Sequence, residues 1–381
     1  MIVVVGAGLA GLQTVVALRT QGYTGPLTLV GAEDEPPYDR PPLSKAVLAG
    51  DADDSTLEAD WSDLDVDLRL GTAASAVGEG VVATDRGDIA FDTAVLATGA
   101  EPRRLPGAEA ALTLRTRPDS LRLREALRPG ARLTIVGAGW IGAEVATAAV
   151  ARGAEVTVVE GLATPLATAL PAEVGARTLP WWSAVDLRLG AAVDAVEPGA
   201  VHLVGGDRVA ADVVLLGVGA RPVAPAGVEL TSGGAVAVDA HLRTSVPGVL
   251  AVGDCAAWES ARYGTRMHVE HWDNALRGPA VAAANALGGD EVWDPVPYFW
   301  SEQWGRMVQY AGHHPAGHRL VRREDGDRWA AFWLDGDRLV AALTVDRPRD
   351  LVQARHLMER DAEVDDRLLA DPSVAVKSAG T

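Results

Sequence analysis

The chain has 381 residues, 48% of them hydrophobic and 23% charged, and a formal net charge of -18. That length asks for two or three separate cores, the composition excludes a disordered chain, and the acidic balance excludes a general affinity for nucleic acid or anionic membranes. The one cysteine, Cys255, excludes an intramolecular disulfide, a dithiol redox centre and a Cys-only metal cluster.

In chain order, residues 2–11 read IVVVGAGLAG. An apolar, β-branched run ends in G-x-G-x-x-G, and an Ala-rich apolar stretch (Leu12–Arg19) comes next. This predicts strand, tight turn and helix, and Leu27–Val30 returns as a strand. A strand that begins at Ile2 also predicts no leader peptide, and no run approaches the roughly 20 apolar residues of a membrane helix. The expectation is a cytoplasmic protein. Pro41-Pro42 stiffens the next segment and places Ser44 to cap the residues after it. Residues 51–67 carry eight carboxylates and no base, which predicts a solvated face. Val81–Thr84 and Ile89–Asp92 flank Arg86-Gly87-Asp88 as a hairpin.

Residues 133–142, LTIVGAGWIG, repeat the opening pattern. Ala143–Arg152 is the second helix and Val156–Val159 the second returning strand. Val201–Leu203 and Arg208–Ala210 form a second hairpin. Val249–Val252 is a strand leading into Gly253-Asp254. The tail alternates over Trp329–Leu334 and Leu339–Leu343 about a turn at Asp335-Gly336-Asp337, and Leu351–Met358 and Val364–Leu369 are predicted helices. His313, His314 and His318 have no acid or cysteine to complete a metal site, so they read as a surface turn.

The repeated motif has a specific physics. In Gly6-x-Gly8-x-x-Gly11 and Gly137-x-Gly139-x-x-Gly142 the first glycine allows the turn. The second lets the backbone approach a pyrophosphate, and the third lets helix pack on strand. The phosphates then meet the positive helix N-terminus. Two copies, each in a βαβ unit, predict two bound dinucleotides. The second returning strand ends at Glu160, placed to accept hydrogen bonds from an adenosine ribose. No arginine lies in residues 161–164 to neutralise a 2′-phosphate, which favours NADH over NADPH. The corresponding acid of the first copy is Glu33, with Glu35 as the alternative.

Seven segments carry a family resemblance: YDRPPLSKAVLAG (38–50), VLATGA (95–100), GAGWIGAEVA (137–146), GVGARP (217–222), VPGVLAVGDCA (246–256), VEHWDNA (269–275) and PYFWSEQWG (297–305). On these the sequence resembles the FAD-dependent ferredoxin reductases that feed Rieske dioxygenases and bacterial cytochromes P450. Those enzymes belong to the wider pyridine nucleotide-disulfide oxidoreductase superfamily. The resemblance implies an α/β protein with two Rossmann-like dinucleotide-binding domains, one for FAD and one for NAD, and a C-terminal α+β domain. The FAD domain is expected to be split, 1–104 and 219–298, around an NAD domain at 105–218, with the last domain at 299–381.

The resemblance also implies residue roles. Gly6, Gly8, Gly11, Glu33, Arg40, Thr98, Gly99, Gly219, Gly253, Asp254, Glu270 and Trp272 fall on the FAD side. Gly137, Gly139, Trp140, Ile141, Gly142, Glu144 and Glu160 fall on the NAD side. Asp254 is expected at the flavin's ribityl chain, or as a helix cap. Lys45, paired with Glu144, is expected near the flavin, and Trp300 beside its ring system. Glu144 alternatively offsets a helix dipole, and Trp300 alternatively is one more core tryptophan. His268 stands where the family has an arginine. PPLSK occupies the place where disulfide reductases of the superfamily hold their dithiol, so reduced flavin is expected to pass electrons directly to an external acceptor.

The implied activity is NADH-dependent reduction of a [2Fe–2S] ferredoxin serving a P450 or a Rieske oxygenase. Alternatives are a rubredoxin reductase, the flavin component of nitrite reduction, and a non-catalytic NADH-sensing flavoprotein similar to apoptosis-inducing factor. A monomer or homodimer with no metal, nucleic-acid or membrane partner is expected. Residues 1–298 carry 38 acids against 22 bases, and residues 299–381 carry 14 against 12. The nearly neutral tail, with Arg319, Arg322, Arg323 and Arg328, and the arginines near the flavin are the expected docking places for an acidic partner.

Overall fold

A computed structural model describes all 381 residues. Strand β1 (Ile2–Val5) is wholly buried, and helix α1 (Leu9–Thr20) starts three residues after it. Strands β2 (Leu27–Val30), β3 (Asp67–Arg69) and β4 (Thr93–Leu96) extend it into a parallel sheet. The second copy comes next. Helix α2 (Arg117–Ala126) precedes β5 (Arg132–Val136), α3 (Trp140–Ala151), β6 (Glu155–Glu160), β7 (Asp186–Leu189) and β8 (Val213–Leu216). These four strands form a separate parallel sheet in the order β7-β6-β5-β8. Both helices start earlier than their apolar runs suggest, because each takes the middle glycine of its motif as N-cap.

The chain then returns. β9 (Val249–Ala251) pairs in parallel with β4, so the first sheet has the order β9-β4-β1-β2-β3. Helix α4 (Trp272–Ala286) packs on α1. One core therefore holds Ile2–Ala97 side chains together with Val236–Trp293 side chains. The two crossing segments lie side by side: Ala100–Pro102 pairs antiparallel with Ala220–Pro222. Both expected hairpins form, each with a further antiparallel strand.

The remainder is an antiparallel sheet of β10 (Tyr298–Gln303), β11 (Arg306–Gly312), β12 (Arg319–Asp325), β13 (Arg328–Asp335) and β14 (Arg338–Val345), in the order β10-β11-β14-β13-β12. Helix α5 (Pro348–Glu359) comes after it. The expected tail strands form about the turn at Asp335-Gly336-Asp337. Residues 329–334 are buried without interruption, because the sheet is covered twice. Phe332 and Ala342 face Leu351, Leu357 and Met358, while Trp329, Trp333 and Val340 face Leu166, Leu170 and Val174 of the second nucleotide unit. A sheet covered on both faces reads as a continuous apolar run. No helix is long and apolar enough to cross a membrane.

Of the four tail arginines one is buried, two are exposed in ion pairs and Arg328 is exposed without an acid partner, so the cluster is less basic in space than in sequence. Arg319 pairs with Asp366 and Asp337, and Arg322 with Glu173. Arg328 donates to the Asp346 carbonyl. Arg323 is 1% exposed. It pairs with Asp350 at 3.3 Å and donates to the carbonyls of Leu368, Leu369 and Val374. The acidic stretch at 51–67 is the expected solvated face: all eight carboxylates are exposed, and two of them, Asp53 and Asp54, pair at the surface with Arg124 and Arg117 of α2.

Arg323→Ala would leave three carbonyls without their donor and Asp350 with Arg347 as its one cation, a loss of about 3 kcal/mol. Denaturant unfolding followed by tryptophan fluorescence should show a matching fall in the midpoint. The histidines add a pH dependence. His314 accepts a hydrogen bond at Nδ1 from Tyr310 at 2.6 Å and stacks on Trp333 at 4.1 Å. Burial holds both His314 and His271 down to about 4. Between that value and the ordinary pKa of about 6.5 the unfolded chain binds protons that the folded chain does not. Stability should therefore be full above about pH 6.5 and be lost progressively toward pH 4. His314→Gln should flatten that slope.

Candidate functional site

The two glycine turns separate what the chain needs from what a ligand needs. Gly6 has φ +113°, and a Cβ there would lie 2.2 Å from the Ala97 carbonyl oxygen. At Gly11 it would lie 1.8 Å from the Gly6 oxygen. Gly137 (φ +107°) and Gly142 repeat this, at 2.4 Å from Gly217 O and 2.1 Å from Gly137 O. The protein's own packing dictates these four. The middle glycines differ. Gly8 is in extended backbone, and a Cβ there would meet nothing within 4 Å; at Gly139 it would meet only the Gly217 oxygen at 4.0 Å. Neither fold nor conformation requires glycine there, so the open space fits a group from outside. Helices α1 and α3 have no side-chain cap and no acid in the first turn, which leaves orphan N–H groups for a phosphate.

Around the first cradle a polar chain runs through residues remote in sequence. Glu33 pairs with Arg40 at 2.7 Å and accepts from the Tyr38 hydroxyl at 2.5 Å. Burial, with the nearby carboxylate adding to it, pushes the Tyr38 phenol up to about 12. Arg40 also donates to the Arg115 carbonyl, and Arg115 pairs with Asp254 at 2.8 Å. Glu35, the alternative acid, is tied to Arg117 at 2.9 Å. Asp254 caps no helix. Thr98 and Gly99 come directly after β4, and the Thr98 hydroxyl donates to Val223 O. Gly219 precedes the second crossing strand, and Gly253 packs against Ala10 of α1. In the second cradle Glu160 accepts from the amides of Ala138 and Leu162, both at 2.8 Å. Ile141 is 40% exposed at the head of α3.

The two cradles and the C-terminal sheet meet at Glu144. It is 5% exposed. Its Oε2 accepts from Lys45 Nζ at 2.8 Å and from the Ser44 hydroxyl at 2.5 Å, and its Oε1 accepts from the Ser301 hydroxyl at 2.7 Å. The expected Lys45–Glu144 pair is present. Ser44 is not a cap: helix 46–49 has no side-chain cap, and the hydroxyl is turned to the acid instead. Trp300 packs edge-to-face on Trp272 at 5.6 Å, and Trp272 donates to Asp39 at 2.7 Å. Burial raises the Asp39 carboxyl above its ordinary value. Trp140 packs edge-on against Phe299, which also meets His271 at 4.5 Å. Glu270 is exposed, and His268 hydrogen-bonds the Asp254 carbonyl at 2.8 Å.

Sequence reading missed Ser301, Arg115, Asp39 and Phe299. The first and last sit inside the PYFWSEQWG motif, but their neighbour Trp300 drew the attention. Asp39 likewise sits inside the YDRPPLSKAVLAG segment, while Arg115 reaches the site only through tertiary contacts and no local pattern marks it.

The glycine geometry gives a direct test. Gly139→Ala should fold normally, with an unchanged far-ultraviolet circular dichroism spectrum, and bind its dinucleotide at least about tenfold more weakly. Gly142→Ala should fail to fold, because its Cβ would overlap backbone. Equal behaviour of the two variants would remove the distinction.

The comparisons with known proteins agree with this geometry. Residues 1–278 match the family model described as pyridine nucleotide-disulphide oxidoreductase, and residues 298–380 match the one described as reductase C-terminal. The ferredoxin–NAD(+) reductase component of the p-cumate 2,3-dioxygenase system of Pseudomonas putida is 35% identical over 99% of this chain and 97% of its own. Putidaredoxin reductase of the same organism is 33% identical over 99% and 96%. Among solved structures, Fdr9 superposes with a TM-score of 0.95 at 47% identity, covering 98% of each chain. The covalent putidaredoxin reductase–putidaredoxin complex gives 0.93 at 32%, covering 99% of this chain and 97% of that one. With two glycine cradles of this geometry, a C-terminal sheet closing over the acid between them, and relatives matched along nearly their whole length, the chain belongs to the pyridine nucleotide-disulphide oxidoreductase family.

Proposed function

We propose that this protein is an NADH-dependent flavoprotein reductase of the cytoplasm. It passes electrons from NADH through FAD to a [2Fe–2S] ferredoxin that serves a P450 or a Rieske oxygenase. Residues 1–104 and 219–298 hold the FAD, residues 105–218 hold the NADH, and residues 299–381 cover the junction. The observation that carries the reading is the buried Glu144, set between two dinucleotide cradles and held by Lys45. The ferredoxin–NAD(+) reductase relatives supply the acceptor class.

Bound FAD would take a hydride from NADH and release the two electrons singly, chemistry that belongs to the cofactors. The chain's residues position and shield. Lys45 and the two serines hold Glu144 oriented away from water, so the acid stays available to a nicotinamide on the α3 side. Arg40, Arg115 and Asp254 form the polar wall of the first cradle. The strand β10 stands between entry and exit. Phe299, Ser301 and Gln303 face α3, while Tyr298, Trp300 and Glu302 alternate to the other side, where an acceptor approaches. Cys255 is buried, with its thiol bonded to the carbonyls of Val252 and Leu96, and burial raises its pKa. It is no thiolate relay, and electrons must leave for an external protein.

Anaerobic stopped-flow reduction of the flavin by NADH tests the reading. Glu144→Ala and Lys45→Ala should each slow reduction by about tenfold or more, a barrier change of about 1.4 kcal/mol or greater. A panel of ferredoxins and rubredoxins coupled to cytochrome c should show fast reoxidation by a ferredoxin. Unchanged reduction in both variants, or reoxidation by no ferredoxin, would refute it.

A further inference from the structure

We propose that Ser301 is a positioning residue that links nicotinamide occupancy at Glu144 to the setting of Trp300. The proposal rests on the reading of Glu144 as the nicotinamide-side acid and extends it to the exit side of the molecule.

The lone pairs of the carboxylate set the constraint. A carboxylate offers about four acceptor positions. In Glu144, Oε2 already has two donors, Lys45 Nζ and the Ser44 hydroxyl, and Oε1 has one, the Ser301 hydroxyl. A single acceptor position remains, on Oε1. A carboxamide N–H arriving from the α3 side must therefore share one oxygen with Ser301.

Ser301 has little freedom to yield by itself. It is 1% exposed, and its oxygen accepts from Gln303 Nε2 at 3.3 Å. Its strand is paired along its whole length with β11, from Tyr298 opposite Ala311 to Gln303 opposite Arg306. A second tether holds the same hairpin to α3: the Trp304 amide donates to the Thr147 hydroxyl at 3.0 Å, and Trp304 has φ +55°. For a residue with a bulky side chain that is a costly backbone conformation. Thr147 lies one helical turn beyond Glu144. The hairpin is thus pinned to α3 at two points. A shift at Ser301 is carried along the strand rather than absorbed locally.

The neighbouring residue receives it. Trp300 precedes Ser301, so its side chain emerges on the opposite face. There it meets Trp272 at 5.6 Å and stacks on Tyr298 at 6.2 Å. Trp272 is in turn bonded to Asp39. One strand residue reads the nucleotide side and the next one presents the result toward the acceptor side.

The test uses the FAD-loaded protein labelled with 5-fluorotryptophan, with the Trp300 resonance assigned by Trp300→Phe. Saturating NAD+ should shift that resonance in the wild type. In Ser301→Ala the shift should be lost while calorimetry still shows NAD+ binding, and Ser301→Thr, which keeps the hydroxyl, should retain it. A full shift in Ser301→Ala would overturn the proposal, as would loss of the shift in Ser301→Thr with NAD+ bound. A wild type that binds no NAD+ would instead overturn the functional reading beneath it.

Discussion

The structure turns on one buried carboxylate. Glu144 belongs to the helix of the second glycine cradle, Lys45 and Ser44 to the segment after the first, and Ser301 to the C-terminal sheet. Each alone could be an ordinary surface residue. Together they bring a charge into the interior, which is tolerable only because a cation and two hydroxyls meet it. The three units are consequently not free to choose their relative placement: moving any one of them strips a donor from a desolvated acid. The spacing between the two glycine cradles is held by the same bonds that hold the molecule together.

The sheets are arranged to make that junction possible. The first nucleotide sheet is interrupted after β4 and completed only by β9, more than 150 residues later. The second unit is thereby inserted as a loop whose two strands, at Ala100–Pro102 and Ala220–Pro222, lie against each other. Two short paired segments leave and re-enter at one place, which fixes where α3 lies relative to Lys45. The C-terminal sheet then closes over both. Its two covered faces explain why so many of the tryptophans are spent there. Arg323 shows the same economy in polar groups, clamping residues 368–374 onto the sheet through their carbonyls.

Charge illustrates where linear reasoning stops. Counting residues, the tail is nearly neutral and its arginines look available. In space Arg319, Arg322 and Arg323 each answer an acid, some from elements that are distant in sequence. A basic cluster in sequence loses its charge in space where acids remote in sequence fold against it, as they do here. The acidic stretch at 51–67 does stay solvated, and two of its carboxylates, Asp53 and Asp54, reach a cation of α2, on Arg124 and Arg117.

The family resemblance implied the Lys45–Glu144 pair, and by itself the sequence determined the repeated strand–turn–helix units, the glycine positions and the acids at Glu33 and Glu160. These are local patterns, or they recur in motifs whose spacing is dictated by backbone sterics. It also determined that no dithiol carries the electrons, since there is one cysteine. Tertiary structure alone decided which carbonyls enforce the division of the glycines that the motif implied, Ala97 and Gly217 being far along the chain. It decided as well that Ser44 serves an acid rather than a helix end, that Arg115 meets Asp254, and that Ser301 completes the site. Hydrogen bonds and burial depend on distance in space, and a chain of 381 residues does not state which of its distant side chains will meet.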